Sequence, residues 1–246
     1  MTVTVTDICR YPIKSHGRES VASVTLEAGK TLPWDRAYAM AHDASRAGTG
    51  WARCIEFTRV AGSPAMAAIT AKVDEEAGRI TLTHPERAPL DFDPETEGDK
   101  LVAWVAGMTP ANRPQPARLM RATGTGYTDI ESGHVTICNM ASHRAVEERL
   151  GQPLSPARWR GNIWLDGLPP WAEFDWLGRE IRIGSATLRV LERTDRCMTT
   201  HANPETGQRD ADVLGTLDTF GHRDFSVTAQ VVKTGRVAIG DEVTLP

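Results

Sequence analysis

From Thr2 to Ile8 the chain alternates, with Val3 and Val5 between threonines, and this period of two predicts a half-buried strand. Further short strands are expected over 21–26, 36–42, 66–73 and 79–83, separated by Gly, Pro or Asp turns. Glu75 to Arg79 reads as the hairpin turn between the last two. The period then changes: Leu101, Val102 and Val105 sit at helical spacing within 98–107, which ends on Gly107. A second helix is expected from Ser142, as its N-cap, to Leu150, where Gly151-Gln152-Pro153 stops it. Strands are expected again over 117–122, 135–138, 162–165, 180–183, 187–193, 226–233, 236–239 and 242–245. Pro110, Pro114 and Pro116 make 109–116 a connector and the best candidate for a boundary. Many short strands with two or three helices predict a mainly β fold of barrel-like sheets in two parts.

Composition narrows the class. A chain of 246 residues can bury a sizeable core, as one large domain or two small ones. A net charge of −4 gives no global basic field for nucleic acid. No apolar run reaches the length of a membrane span. Met1 to Asp7 lacks the basic and apolar regions of a signal peptide, so a cytoplasmic protein is expected. The four cysteines, Cys9, Cys54, Cys138 and Cys197, are scattered without C-x-x-C spacing, which argues against a zinc knuckle or an iron–sulfur cluster. A metal here would take one thiolate from the protein and its other ligands from elsewhere; a cofactor carrying its own sulfurs fits.

Cys197 is the foremost candidate. It follows Asp195-Arg196 at the end of a strand-like run and precedes Met198-Thr199-Thr200. A thiolate is favoured beside a fixed positive charge and suits a soft metal or nucleophilic attack. Asp195 partly offsets Arg196, so a buried structural cysteine stands as the other reading. Three more segments suit an anionic or planar ligand. Lys14 and Ser15 follow the stiff Tyr11-Pro12 and offer an ammonium, a hydroxyl and backbone N–H groups. Arg36 follows Trp34-Asp35, where an acid can hold it. In Arg158-Trp159-Arg160-Gly161-Asn162, alternation puts Arg158, Arg160 and Asn162 on one face. A polar loop and a surface ion pair are the competing readings of the first two. Asp129 with Glu131 reads as turn polarity, and Trp164, Trp171 and Trp176 as packing anchors or the wall of a pocket.

Taken together, Tyr11-Pro12-Ile13-Lys14-Ser15, Asp35-Arg36, Arg158-x-Arg160-x-Asn162-Ile163, Arg196-Cys197-Met198-Thr199-Thr200 and Asn203-Pro204-x-Thr206-Gly207 resemble the MOSC family. The closer resemblance is to members with an N-terminal MOSC β-barrel ahead of the MOSC domain, the group of the mitochondrial amidoxime-reducing component and its bacterial relatives. The tail from Thr234 to Val243 looks like the closing hairpin of that fold. The resemblance implies an N-terminal MOSC-type β-barrel subdomain over 1–95 and a MOSC β-barrel domain over 96–246.

It also implies a molybdenum–molybdopterin cofactor. Cys197 would be the protein ligand of the metal and the catalytic position. Lys14, Ser15, Arg36 and Arg160 would hold the pterin and its phosphate. Asp195, Arg196, Asn139 and Met140 would lie against the cofactor, while Cys9, Cys54 and Cys138 would be structural or remote. His16 stands where the family often has Cys, and Thr194-Asp195 where Ser or Cys is commoner, which leaves substrate preference open.

The implied activity is a two-electron reduction of N-hydroxylated compounds (amidoximes, N-hydroxylated bases, hydroxylamines) that releases water. With no ferredoxin extension in the sequence, the electrons are expected from an external electron-transfer protein, ferredoxin-like or cytochrome b5-like with its reductase. The alternative is a molybdenum-cofactor carrier or sulfur-transfer module using Cys197. The absence of a pyridoxal-dependent desulfurase domain and the presence of the N-terminal barrel weigh toward the reductase.

Overall fold

A computed structural model describes residues 2–244, so Leu245 of the last expected strand lies outside the described residues. The alternation at the N-terminus becomes strand Thr4–Arg10, with Val3 and Val5 buried. The same rule holds in Glu180–Ile183, where Ile181 and Ile183 point inward and Glu180 and Arg182 outward. Thr70–Asp74 likewise buries Ala71 and Val73. In the last two strands one face packs on the core and the other meets water, whereas Ile8, Cys9 and Arg10 at the end of the first are all buried.

Eight strands form the largest sheet, in the spatial order Val243–Thr244, Glu180–Ile183, Ala186–Asp195, Asp224–Lys233, Val135–Asn139, Ile163–Asp166, Thr4–Arg10 and Glu19–Ser20. All neighbours run antiparallel except Val135–Asn139 with Ile163–Asp166. The sheet curls until its two sides meet. Val5 N donates to Asp241 O at 2.9 Å and Val243 N to Val3 O at 2.9 Å. A core of Val, Ile and Leu fills the inside, including Ile8, Ile137, Leu165, Leu188 and Val227. The first strand thus belongs to the sheet built mainly from the second half of the chain.

A second group lies around its own core of Met40, Met66, Ile80, Leu82, Phe92 and Leu101. It comprises the meander Thr70–Asp74, Arg79–His84 and Arg87–Phe92, the helix Gly98–Trp104, and a small sheet of Ile13–Lys14, Tyr38–His42 and Pro116–Arg121. The Glu75–Arg79 turn is present, with Gly78 at φ 68°. Pro116–Arg121, beyond the Pro-rich connector, pairs back onto Tyr38–His42, so the connector returns the chain to this group rather than leading it away.

Three local expectations change. Pro64–Ala68 forms a 3-10 turn and the strand begins only at Thr70, because Pro64 presets the first helical position. The second helix spans Met140–Leu150, and its N-cap is Asn139, whose side chain accepts from Ala141 N at 2.9 Å. Ser142 instead points its hydroxyl at the buried Glu173, at 2.8 Å. Finally, Pro156–Trp159 is a 3-10 turn, so Arg158 and Arg160 do not alternate on a strand face.

Candidate functional site

One cleft of about 640 Å³ opens where the curled sheet meets the smaller group. Its geometry begins with a disturbed strand. Ala186, Leu188 and Val190 alternate into the core as a regular strand requires. The register against Asp224–Lys233 then slips between Val190 and Glu192 and again between Arg193 and Asp195. Such bulges bend a strand and re-aim its side chains. Leu191, Glu192 and Arg193 are therefore all exposed, and Glu192 through Cys197 line the cleft consecutively.

Cys197 caps the short turn Met198–His201. Its carbonyl accepts from Thr200 N at 3.1 Å and Thr200 Oγ1 at 3.0 Å, which fixes the backbone. Its Sγ lies exposed, with Thr199 Oγ1 at 3.3 Å. Cys9 and Cys138 are buried, and burial pushes both thiols up to about 12. Cys54 departs from expectation. It is half-buried and lines the same cleft as Cys197, near Arg59.

The cleft also gathers Lys14, Ser15, Arg36, Arg160, Asp195 and Arg196 from four distant segments. Three of these hold left-handed backbones, Ser15 at φ 66°, Arg36 at 53° and Arg160 at 51°. Each costs about 1–2 kcal/mol for a residue with a Cβ, a strain that clusters where a ligand is clamped. Lys14 Nζ donates to Tyr127 O at 2.9 Å and pairs with Asp129 at 2.6 Å. The side chain of Asp129 is 82% exposed, and the ammonium of Lys14 and the guanidinium of Arg36 hold its carboxyl below its usual range. Asp129, read from sequence as turn polarity, is thus part of the cleft wall. Arg36 pairs with Asp35 and donates through Nη2 to Arg160 O at 3.0 Å.

Three guanidiniums of the cleft, Arg59, Arg160 and Arg196, stand outside the ion pairs of the described residues, and the last two are held among backbone and ring groups. Neither Arg160 nor Arg196 has a carboxylate partner among the described residues. Arg196 donates to Phe225 O at 3.0 and 2.6 Å, to Trp159 O at 2.8 Å and to Ser226 Oγ at 2.5 Å, so carbonyl and hydroxyl dipoles hold it. Burial lowers its pKa. Burial also lowers Arg160 to about 10, and its buried Nη2 has no hydrogen-bond partner among the described residues. A desolvated cation without a counter-ion is costly, and an anionic ligand removes the cost. No group of three or more His, Cys, Asp or Glu side chains is placed to hold a metal among the described residues.

Asn139 and Met140 do not line the cleft. Asn139 is fully buried and donates to Pro169 O at 2.8 Å and Glu173 Oε2 at 2.7 Å, besides capping its helix. Trp164, Trp171 and Trp176 pack in the cores; Trp159 is the tryptophan that lines the cleft, stacked on Phe225 with ring centroids 3.7 Å apart. His134, not singled out from sequence, also lines it. Burial lowers its pKa, and its Nδ1 donates to Ser132 O at 2.8 Å.

Comparison with known proteins gives two family matches that together span the described chain. The MOSC N-terminal beta barrel domain matches residues 2–130, and the MOSC domain matches residues 127–244. Among curated proteins, the mitochondrial amidoxime-reducing component 1 of Xenopus laevis is 29% identical over 126 residues, which is 46% of this chain and 36% of that protein. The match thus spans about a third of the relative's length. Among solved structures, the YUAD protein from Bacillus subtilis covers 99% of this chain and 94% of its own, at 14% identity and a TM-score of 0.47. YiiM from Geobacillus stearothermophilus covers 46% of this chain and 53% of its own, at 21% identity and a TM-score of 0.35.

Proposed function

Because the chain belongs to the MOSC family, with a MOSC N-terminal beta barrel domain and a MOSC domain, we propose that the cleft holds a molybdenum cofactor and that the protein reduces N-hydroxylated compounds. What carries this reading is the pairing, in one cleft, of an exposed Cys197 thiol with the guanidiniums of Arg160 and Arg196, neither of which has a carboxylate partner among the described residues. The donor set fits such a group. A pterin phosphate would be held by the guanidinium of Arg160, with Lys14, Ser15 and Arg36 beside it. Cys197 would supply the one soft ligand, the cofactor's own sulfurs the others.

The chain's part in the reaction is to bind, orient and restrict. Arg196 is locked to three backbone or hydroxyl oxygens, so the segment bearing Cys197 is held at a fixed height on the sheet. Met198 is 40% exposed at the cleft and offers an apolar contact to an incoming substrate. When bound, the cofactor supplies the two-electron chemistry that removes oxygen from nitrogen and releases water. The electrons would come from a separate electron-transfer protein, ferredoxin-like or cytochrome b5-like with its reductase. Among the described residues no helix is long and apolar enough to cross a membrane.

The test is the molybdenum and pterin content of the purified protein, followed by turnover of an amidoxime with a chemically reduced donor. Stoichiometric cofactor and amidine product are expected. Labile sulfur on Cys197 with no turnover under any reduced donor would overturn the reductase and favour a sulfur carrier.

A further inference from the structure

Tyr11 is 1% exposed and has no assigned part in the site, yet both arginines of the cradle meet on it. The Arg36 guanidinium carbon lies 4.8 Å from the centre of its ring and that of Arg160 lies 4.3 Å from it. The backbone ties are as direct. Tyr11 N donates to Asp35 Oδ1 at 2.8 Å, Arg36 N donates to Tyr11 O at 2.7 Å, and Tyr11 Oη donates to Gly161 O at 3.2 Å. One residue is therefore bonded to the neighbour of each arginine, and the centre of its ring lies 4.8 and 4.3 Å from the two guanidinium carbons. Arg36 and Arg160 are 124 residues apart and carry like charges. Like charges separate unless something holds them, and the negative face of an aromatic ring attracts each guanidinium.

We infer that Tyr11 is a positioning residue of the anion site, whose ring holds the guanidiniums of Arg36 and Arg160 together at the cleft so that one phosphate group can bridge them. The partnerless Nη2 of Arg160 is the independent sign that a ligand completes the arrangement. Asp35 neutralises Arg36 alone. The pair therefore presents one net positive charge and a planar set of donors, which suits the forked geometry of phosphate oxygens. Burial and the nearby charge of Arg36 lower the pKa of Arg160, a cost to the cation that the ring face partly offsets. The inference rests on the proposed phosphate cradle, and it adds that the cradle fails without the ring.

The test uses the whole chain purified free of cofactor, with inorganic phosphate as the probe and isothermal titration as the readout. Residue 11 is replaced by Phe, by a ring-fluorinated phenylalanine, and by Leu. Fluorination drains the negative face of the ring with little change of shape, so a purely packing role is blind to it. Tyr11→Phe should bind phosphate within about threefold of wild type, since only the bond to Gly161 O is lost. The fluorinated ring should bind more weakly than Phe, and Tyr11→Leu about tenfold or more below wild type. Unfolding temperatures of the Phe and fluorinated variants without phosphate should agree. Equal phosphate affinity for those two variants would overturn the inference, even if Tyr11→Leu does not fold. Phosphate binding by wild type that survives Arg160→Ala unchanged would sink the cradle itself; binding lost in Arg160→Ala but equal across the ring series sinks only the role of Tyr11.

Discussion

Arg158 and Asp210 form an ion pair between a guanidinium that is almost wholly buried and a carboxylate that is 41% exposed. The same Arg158 donates through Nη1 to His201 O at 3.1 Å and Thr200 O at 3.4 Å, inside the turn that Cys197 caps. The turn carrying the thiol is therefore pinned from beneath by one side chain with three acceptors. Lys cannot copy that fork, because its ammonium is a single point on a flexible stem. Arg158→Lys should cost about 1–3 kcal/mol of stability, from backbone carbonyls left unpaired in the interior. In protein without cofactor it should also raise the rate at which iodoacetamide alkylates Cys197. Thermal unfolding and the alkylation rate check the two halves; an unchanged rate would free the turn from dependence on Arg158.

Cys197→Ser should abolish amidoxime reduction and leave the fold intact. The side chain is exposed and, among the described residues, hydrogen-bonds only Thr199 Oγ1, so little packing is lost. A hydroxyl is a harder and far less acidic ligand than a thiol. Pterin should remain bound, held by the arginines. Turnover at the wild-type rate with full molybdenum loading would remove Cys197 from the metal.

Gly161 is required for packing rather than for its backbone angles. A Cβ there would come within 2.1 Å of Cys138 Sγ. Gly161→Ala should lose about 1–3 kcal/mol through this overpacking, and the adjoining Arg160 should move with it. Adding Cys138→Ala removes the sulfur and should restore most of the loss. A double-mutant cycle by urea unfolding measures the coupling, and additivity of the two substitutions would show that the sulfur is not the obstacle.

Glu173 sets a pH dependence. It is fully buried, with Asn139 and Ser142 as donors and, among the described residues, no ion pair to a cation. Burial raises its pKa above 4.5. For an acid the sign follows directly: the fold holds a proton that the unfolded chain releases, so stability falls as pH climbs from 4.5 to the raised value and stays reduced above it. Glu173→Gln keeps an acceptor for the same donors and removes that dependence. The unfolding temperature of the variant relative to wild type should rise between pH 5 and pH 8, by the order of the few degrees that about 1 kcal/mol is worth in a chain this size. A constant difference across that range would show that Glu173 is not the group responsible.

Strand content was legible because alternation is a local signal. Val3 and Val5, or Ile181 and Ile183, need only a wet face and a dry one to declare themselves. Helix ends were less legible. Both Asn139 and Ser142 are good caps, and only the buried Glu173, far along the chain, claims the Ser142 hydroxyl and leaves Asn139 to cap. The alternation read into Arg158, Arg160 and Asn162 failed because Pro156 starts a 3-10 turn and Arg160 takes a left-handed backbone. No spacing reveals a φ of 51° at an arginine.

Residue types and their local order therefore determined a mainly β chain, the strands and turns near their true places, and the short segments that carry the candidate chemistry. Tertiary structure decided which of those segments meet. It put the first strand into a sheet made mostly by the second half of the chain and folded the stretch after the Pro-rich connector back onto Tyr38–His42. It brought Cys54 and Asp129 into the cleft and withheld Asn139 and Met140 from it. The reason is physical: periodicity reports which face of an element is buried, whereas strand pairing across more than 150 residues, as between Thr4–Arg10 and Ile163–Asp166, is settled only when the whole core closes.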